Sequence, residues 1–209
     1  MKLRGLYAIT PEALASDVIL ARAARALHGG ARLLQYRSKD PDALARAQLA
    51  RALAALCRGC GAGFIVNDDV ELALAVDADG AHLGRDDGDL AAARARLRGK
   101  LLGASCYDRI ERAQAAVAAG ADYVAFGSVF ASPTKPAAVR APLALFAQAR
   151  ALGVPLCAIG GITAENAPAV IRAGADLVAV VSDLFDADDV AARARAYAQL
   201  FDHEPVISP

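Results

Sequence analysis

Lysine is scarce in this chain: four of the 23 basic residues are lysine and the rest are arginine. Histidine occurs three times and cysteine four times. So few cysteines make no disulfide framework, and Cys57-Arg-Gly-Cys60 lacks the second pair that a tetrahedral zinc site needs. A redox pair would follow a strand and open a helix, whereas this one closes a helical stretch, so the thiols read as reduced and structural. No apolar run reaches the length of a membrane span, and no signal-peptide core follows Lys2, so a cytoplasmic protein is expected. The formal charge is zero, without the basic stripe that nucleic acid requires. Neither nucleic acid nor membrane is therefore an expected partner. No Ser/His/Asp arrangement and no haem or iron–sulfur spacing is visible.

What is present is repetition. Short apolar runs are expected as strands at Leu6–Thr10, Leu33–Arg37, Phe64–Asn67, Gly80–Leu83, Leu102–Ser105, Tyr123–Gly127, Leu156–Ile159 and Leu177–Val181. Each precedes an Ala/Arg/Leu stretch with helical spacing. These are expected at Ser16–His28, Pro41–Cys57, Val70–Val76, Leu90–Leu97, Ile110–Ala119, Leu143–Ala151, Ala164–Ala173 and Asp188–Leu200. Three helices run into related turns, Val76-Asp-Ala-Asp-Gly80, Ala119-Gly-Ala-Asp122 and Ala173-Gly-Ala-Asp176, where a glycine can close the helix in a left-handed conformation. Eight strand–helix units imply parallel pairing and close naturally into a single-domain (β/α)8 TIM barrel. The barrel is expected over residues 1–202, with 203–209 a flexible tail. A doubly wound open sheet is the competing fold, but Gly59-Cys-Gly-Ala-Gly63 precedes a strand, whereas a dinucleotide fingerprint follows one.

In such a barrel the chemistry lies at the carboxyl ends of the strands. Alternation puts Gln35, Arg37 and Lys39 on one side of strand two. Strand six runs into Ser132-Pro-Thr-Lys135, two hydroxyls and an ammonium suited to an anion. Two of the four lysines, Lys39 and Lys135, thus fall on this face. Asp68 and Asp87 follow adjacent strands whose backbones lie about 5 Å apart, and two carboxylates that close repel unless a cation is present. Mg²⁺ suits them, because it takes one or two carboxylates, keeps several waters and binds substrate phosphates. Together these groups describe a diphosphate site, with a merely solvated rim of charges as the plain alternative. Gly160-Gly161-Ile-Thr163 leads toward a helix expected near Ala164, with Thr163 as its N-cap. Backbone amides there would attract a monophosphate, Gly161 would let it approach, and Ser182 would add a hydroxyl. His82 is expected to pack near the top of strand four without a catalytic task, and His28 and His203 to lie at the surface.

Taken in order, Leu6-Tyr-Ala-Ile-Thr10, Leu34-Gln-Tyr-Arg-Ser-Lys39, Ile65-Val-Asn-Asp-Asp69, His82-Leu-Gly84, Ala125-Phe-Gly-Ser-Val-Phe130, Thr134-Lys-Pro136 and Ala158-Ile-Gly-Gly-Ile-Thr163 resemble the thiamine phosphate synthase family over nearly the whole chain. The resemblance implies a TIM barrel that joins a pyrimidine methyl diphosphate to a hydroxyethylthiazole phosphate and releases diphosphate with Mg²⁺. It implies that Gln35, Tyr36, Arg37, Ser38, Lys39 and Asn67 bind the pyrimidine diphosphate, with Ser105 and Lys135 completing that pocket. Arg37, Lys39, Lys135 and Ser105 would carry the catalysis, and Asp68 and Asp87 would hold the metal. Ser132, Pro133, Thr134, Gly161, Val181 and Ser182 would bind the thiazole phosphate. Ala131 stands where the family usually has proline, Ser132 where it has threonine, and Arg85 where it often has glutamine. A thiazole tautomerase-like barrel and a non-catalytic phosphate-binding barrel are the competing functions. The oligomeric state is not set by the sequence, and a homodimer is compatible with it.

Overall fold

The computed structural model describes residues 3–131 and 139–202. Eight parallel strands close into one barrel in the order β1-β2-β3-β4-β5-β6-β7-β8, as the eightfold alternation anticipates. They are β1 (Gly5–Ile9), β2 (Leu33–Tyr36), β3 (Gly63–Asn67), β4 (Gly80–Leu83), β5 (Leu101–Tyr107), β6 (Tyr123–Phe126), β7 (Leu156–Ile159) and β8 (Leu177–Val180). The outer ring comprises α1 (Ser16–His28), α2 (Ala43–Cys60), α3 (Val70–Ala75), α4 (Leu90–Arg96), α5 (Ile110–Ala118), α6 (Ala144–Ala149), α7 (Ala167–Ala173), α8 (Ser182–Phe185) and α9 (Val190–Asp202). A 3₁₀ turn, Arg150–Leu152, extends α6.

Period-two alternation sorts the strand residues into two cores. Tyr7, Ile9, Leu33, Ile65, Tyr123 and Leu177 fill the barrel interior. Leu6, Ala8, Leu34, Tyr36, Phe64 and Val66 face the helices, whose alanine-rich inner sides let them pack close. Because both faces are covered, the strands read as continuous apolar runs.

Aspartates set the ends of many elements. Asp42, Asp69, Asp89 and Asp189 each accept from backbone N–H groups in the first turn of α2, α3, α4 and α9. The helix-to-strand turns hold a device that glycine alone does not explain. Asp79, Asp122 and Asp176 each reach back from the start of an even-numbered strand to the first amides of its predecessor. Their carboxylates accept from Phe64, Leu102 and Leu156 N–H at 2.8, 2.7 and 2.9 Å. The β3–β4, β5–β6 and β7–β8 pairs are thereby latched at the amino-terminal face.

Boundaries differ from expectation where a cap decides them. The second helix starts behind the Asp42 cap and runs through Cys60 to Gly61, which has φ +67°. The seventh begins three residues later than Ala164: Thr163 and Asn166 bond reciprocally, and the Asn166 side chain also donates to Gly161 O, so a separate turn precedes α7. The helix α8, directly after β8, has no counterpart in the sequence reading. No helix among the described residues is long and apolar enough to cross a membrane. The proposed tail, 203–209, lies outside the described residues.

Candidate active site

At the carboxyl end of β2 the side chains divide as alternation requires. Gln35 points into the barrel, buried at 3% exposure, while Tyr36 points outward and packs with the helix layer. The pleat thus turns the Tyr36 side chain to the opposite face from Gln35. Arg37 is anchored through its backbone, its N–H donating to Thr10 Oγ1 at 2.9 Å, and its guanidinium pairs with Glu12 at 3.0 Å. Lys39 is exposed and forms no ion pair among the described residues. Ser38 accepts from Asp40 N–H, which shapes the exposed turn into α2.

Strand β3 ends in Asn67, whose amide donates to the Asp68 carboxylate at 2.5 Å. Asp68 adopts φ +63°, a left-handed conformation that aims its side chain away from the strand path, and its N–H is tied to His82 O. Asp87 accepts from Gly84 N–H at 2.9 Å. The two carboxylates come within hydrogen-bonding reach of each other. Asp68 is pushed up to about 6, first by partial burial and then by Asp87, while Arg37 and Asn67 pull it down. A like-charged pair of this kind, with Arg37 the cation that lowers Asp68 among the described residues, is one whose repulsion a bound cation would relieve. No group of three or more histidine, cysteine or acidic side chains suited to a metal occurs among the described residues. Two carboxylates fit an ion that takes few protein ligands and fills its octahedron with water and phosphate oxygens, as Mg²⁺ does.

Beneath this rim lies a buried polar chain that sequence reasoning missed. Gln35 Nε2 donates to the Tyr7 hydroxyl at 2.7 Å, and the Tyr7 and Tyr123 hydroxyls meet at 2.8 Å. The Tyr123 hydroxyl lies 3.1 Å from His82 Nδ1, and His82 Nε2 lies 2.9 Å from Ser105 Oγ. His82, set aside as a packing residue, is thus hydrogen-bonded at both ring nitrogens, and burial lowers it to about 4, so it is neutral. A faint signal existed: Tyr7, Gln35, His82, Ser105 and Tyr123 all occupy inward positions of their strands.

On the far side of the mouth, Gly160 and Gly161 have φ +101° and +63°. A methyl at Gly161 would overlap the Ala131 carbonyl, so the turn after β7 packs directly on the segment following β6. Two backbone bonds, from Val129 N–H to Ile159 O and from Phe130 N–H to Gly160 O, hold these segments together at 3.0 Å. Val181 precedes α8 and packs with the interior cluster, and Ser182 is the first residue of α8 and is exposed. Ser132, Pro133, Thr134 and Lys135 lie outside the described residues. A cavity of about 1010 Å³ opens at the opposite, amino-terminal end, lined by Arg4, Gly63, Asp77, Asp79 and Lys100, and holds none of the expected site residues. In this fold that face serves stability, and Asp79 there is one of the strand latches.

The family model for thiamine monophosphate synthase matches residues 6–184. The thiamine-phosphate synthase of Aromatoleum aromaticum is 62% identical over 203 residues, covering 96% of this chain and 98% of the relative. That of Chromobacterium violaceum is 61% identical over 201 residues, covering 96% and 97%. Among solved structures, the thiamine phosphate pyrophosphorylase from Pyrococcus furiosus superposes with a TM-score of 0.86 at 34% identity, covering 96% of each chain.

Proposed function

From the premise that the chain belongs to the thiamine monophosphate synthase family and is an enzyme of thiamine biosynthesis, we propose that it condenses 4-amino-2-methyl-5-(diphosphooxymethyl)pyrimidine with 4-methyl-5-(2-phosphoethyl)thiazole in a Mg²⁺-dependent reaction. The products are thiamine phosphate and diphosphate, and the reaction is assigned to the cytoplasm, where the four cysteines would stay the free thiols they are in this structure. The carrying observation is the Asp68–Asp87 pair beside Arg37, an arrangement whose repulsion a divalent cation relieves.

The bond from the pyrimidine methylene carbon to the diphosphate oxygen breaks with its electron pair leaving on oxygen, and the thiazole nitrogen forms the new bond to that carbon. Arg37, held by Thr10 and Glu12, and the exposed Lys39 would neutralise the charge that gathers on the leaving diphosphate. Lys135 is assigned the same work. Donors placed before the reaction begins need no reorganisation as charge develops. Asp68 and Asp87 would hold Mg²⁺, which when bound supplies further neutralisation of the diphosphate. Gly161, Val181 and Ser182, together with Ser132, Pro133 and Thr134, would bind the thiazole phosphate. No side-chain nucleophile is required, since the two substrates supply both reacting atoms and the enzyme holds them together.

The test is diphosphate release from purified protein mixed with both substrates and Mg²⁺. Release that needs both substrates and stops in EDTA is expected. Proton exchange on a thiazole without diphosphate release would favour the tautomerase-like reading, and binding without turnover the non-catalytic one.

A further inference from the structure

We propose that Tyr7, Tyr123 and His82 are positioning residues: they form a one-way hydrogen-bond chain that fixes the His82 proton on Nε2, so that Ser105 presents a donor and Gln35 an acceptor to the amino-pyrimidine edge of the substrate. This rests on the reading above, in which Gln35 and Ser105 belong to the pyrimidine pocket.

The direction follows from counting protons. The Gln35 amide nitrogen can only donate, so the Tyr7 hydroxyl accepts from it. The Tyr7 proton then has one partner among the described residues, the Tyr123 oxygen. If Tyr123 donated to Tyr7 instead, the fully buried Tyr7 proton would have no acceptor, and an unmet buried donor is penalised. Tyr123 has now accepted, and its own proton goes to His82 Nδ1. With Nδ1 accepting, the neutral imidazole carries its proton on Nε2 and donates to Ser105 Oγ. The Ser105 hydrogen is left for the ligand. At the other end, the Gln35 carboxamide oxygen is engaged by nothing among the described residues. It is not a sealed-in orphan either, since Arg46 Nε is the one buried side-chain polar atom among them without a partner. An acceptor and a donor at the two ends of one chain match a ring that offers an amino N–H beside a ring nitrogen.

Two further features point the same way. A methyl at Gly103 would overlap the Tyr123 phenol and His82 Nδ1, so this glycine makes room for the bond that sets the tautomer. Aromatic contacts brace the members, with the Tyr7 and Tyr123 rings edge-on at 6.0 Å and the His82 and Tyr123 rings 5.5 Å apart.

The test uses the full chain labelled with ¹⁵N-histidine; only three histidines are present, and loss of signals in His82→Gln assigns the one of interest. At neutral pH the ¹⁵N shifts should show His82 protonated on Nε2 and accepting at Nδ1, and Tyr123→Phe should convert it to a tautomer mixture. In kinetics, Tyr123→Phe and Tyr7→Phe should each raise KM for the pyrimidine diphosphate about tenfold, the scale of one neutral hydrogen bond, and leave KM for the thiazole phosphate unchanged. His82→Gln, which keeps a donor at the Nε2 position, should preserve that KM better than His82→Leu. An Nδ1–H tautomer in the wild type overturns the proposal. So does a Tyr123→Phe enzyme with unchanged pyrimidine KM while Ser105→Ala raises it. Failure of the wild type to turn over the substrate pair would sink the functional reading, and the ¹⁵N shifts would still decide whether the relay exists.

Discussion

Replacing Asp87 with asparagine separates a metal carboxylate from a structural one, because the two roles give opposite signs. The folded Asp68 carboxyl is raised from 3.8 to about 6, with burial and the neighbouring Asp87 as the causes. The folded state therefore holds a proton more tightly than the unfolded chain. Its stabilising effect is present below about pH 4 and is lost as pH rises to about 6, above which the metal-free protein carries the full repulsion. A rise of that size would correspond to about 3 kcal/mol by linkage, but Asp68 has an exposed surface and screening by water reduces this to about 1 kcal/mol. Asparagine at 87 removes the charge and keeps an oxygen to accept from Gly84 N–H.

In EDTA at pH 7.5, Asp87→Asn should therefore melt about 2–4 °C above the wild type, the shift expected from ~1 kcal/mol in a chain of this size. At pH 4 the two should coincide. With Mg²⁺ and diphosphate at a hundredfold excess over the dissociation constant, the wild type should gain about 2.7 kcal/mol and the variant far less. Differential scanning calorimetry at the two pH values, with and without ligand, reads all of this. A variant that melts well below the wild type in EDTA and is still stabilised by ligand would refute the metal pair and make Asp87 a structural partner of Gly84.

Other consequences are simpler to read. Lys135→Ala should lower kcat at least about a hundredfold, the scale of one lost transition-state donor, in a steady-state diphosphate-release assay. Gly161→Ala places a methyl against the Ala131 carbonyl at a positive φ, so KM for the thiazole phosphate should rise more than KM for the pyrimidine. Asp122→Ala should destabilise the protein by about 1–3 kcal/mol, seen as a lower urea midpoint, because the Leu102 amide and Arg94 lose their shared partner. Cys60 is exposed, whereas Cys57, Cys106 and Cys157 are buried and burial raises each thiol, Cys57 and Cys106 to about 12; a disulfide reagent should therefore modify one thiol quickly and the rest only on unfolding.

The barrel was legible because its signal is local and repeated: an apolar run buried on both faces, then an alanine-rich amphipathic stretch, eight times over. The rim was legible for a related reason. Arg37, Asp68 and Asp87 follow directly from strand ends, and charge at a strand end in this fold has few structural uses. Two features resisted. The four-residue helix α8 is too short for a 3.6-residue period to show, and the sequence Ser182-Asp-Leu-Phe185 reads equally as a loop. Strand latching by Asp79, Asp122 and Asp176 is a contact between units, so the sequence reading credited the turns to glycine and left the aspartates without a role.

The interior chain was hidden for a different reason. Tyrosine counts as apolar in any pattern of buried runs, and Tyr7 and Tyr123 are indeed fully buried, so the pattern is satisfied before their hydroxyls are considered. A buried hydroxyl nevertheless needs a partner, and within a closed barrel the inward positions of several strands are within reach of one another across the axis. Tyr7 and Tyr123 lie 116 positions apart in sequence, and their hydroxyls are 2.8 Å apart in space. Such a chain can be anticipated only after the closure is known, by asking of each inward polar atom where its proton goes. That question, rather than the spacing of motifs, brings His82 into the site. A packing histidine at the top of β4 would need a single partner, whereas this one is held at both nitrogens between a fully buried phenol and a serine at the mouth. The polarity of the mouth is thus set by groups buried beneath it, and substitutions there should alter which edge of a substrate is accepted before they alter the fold.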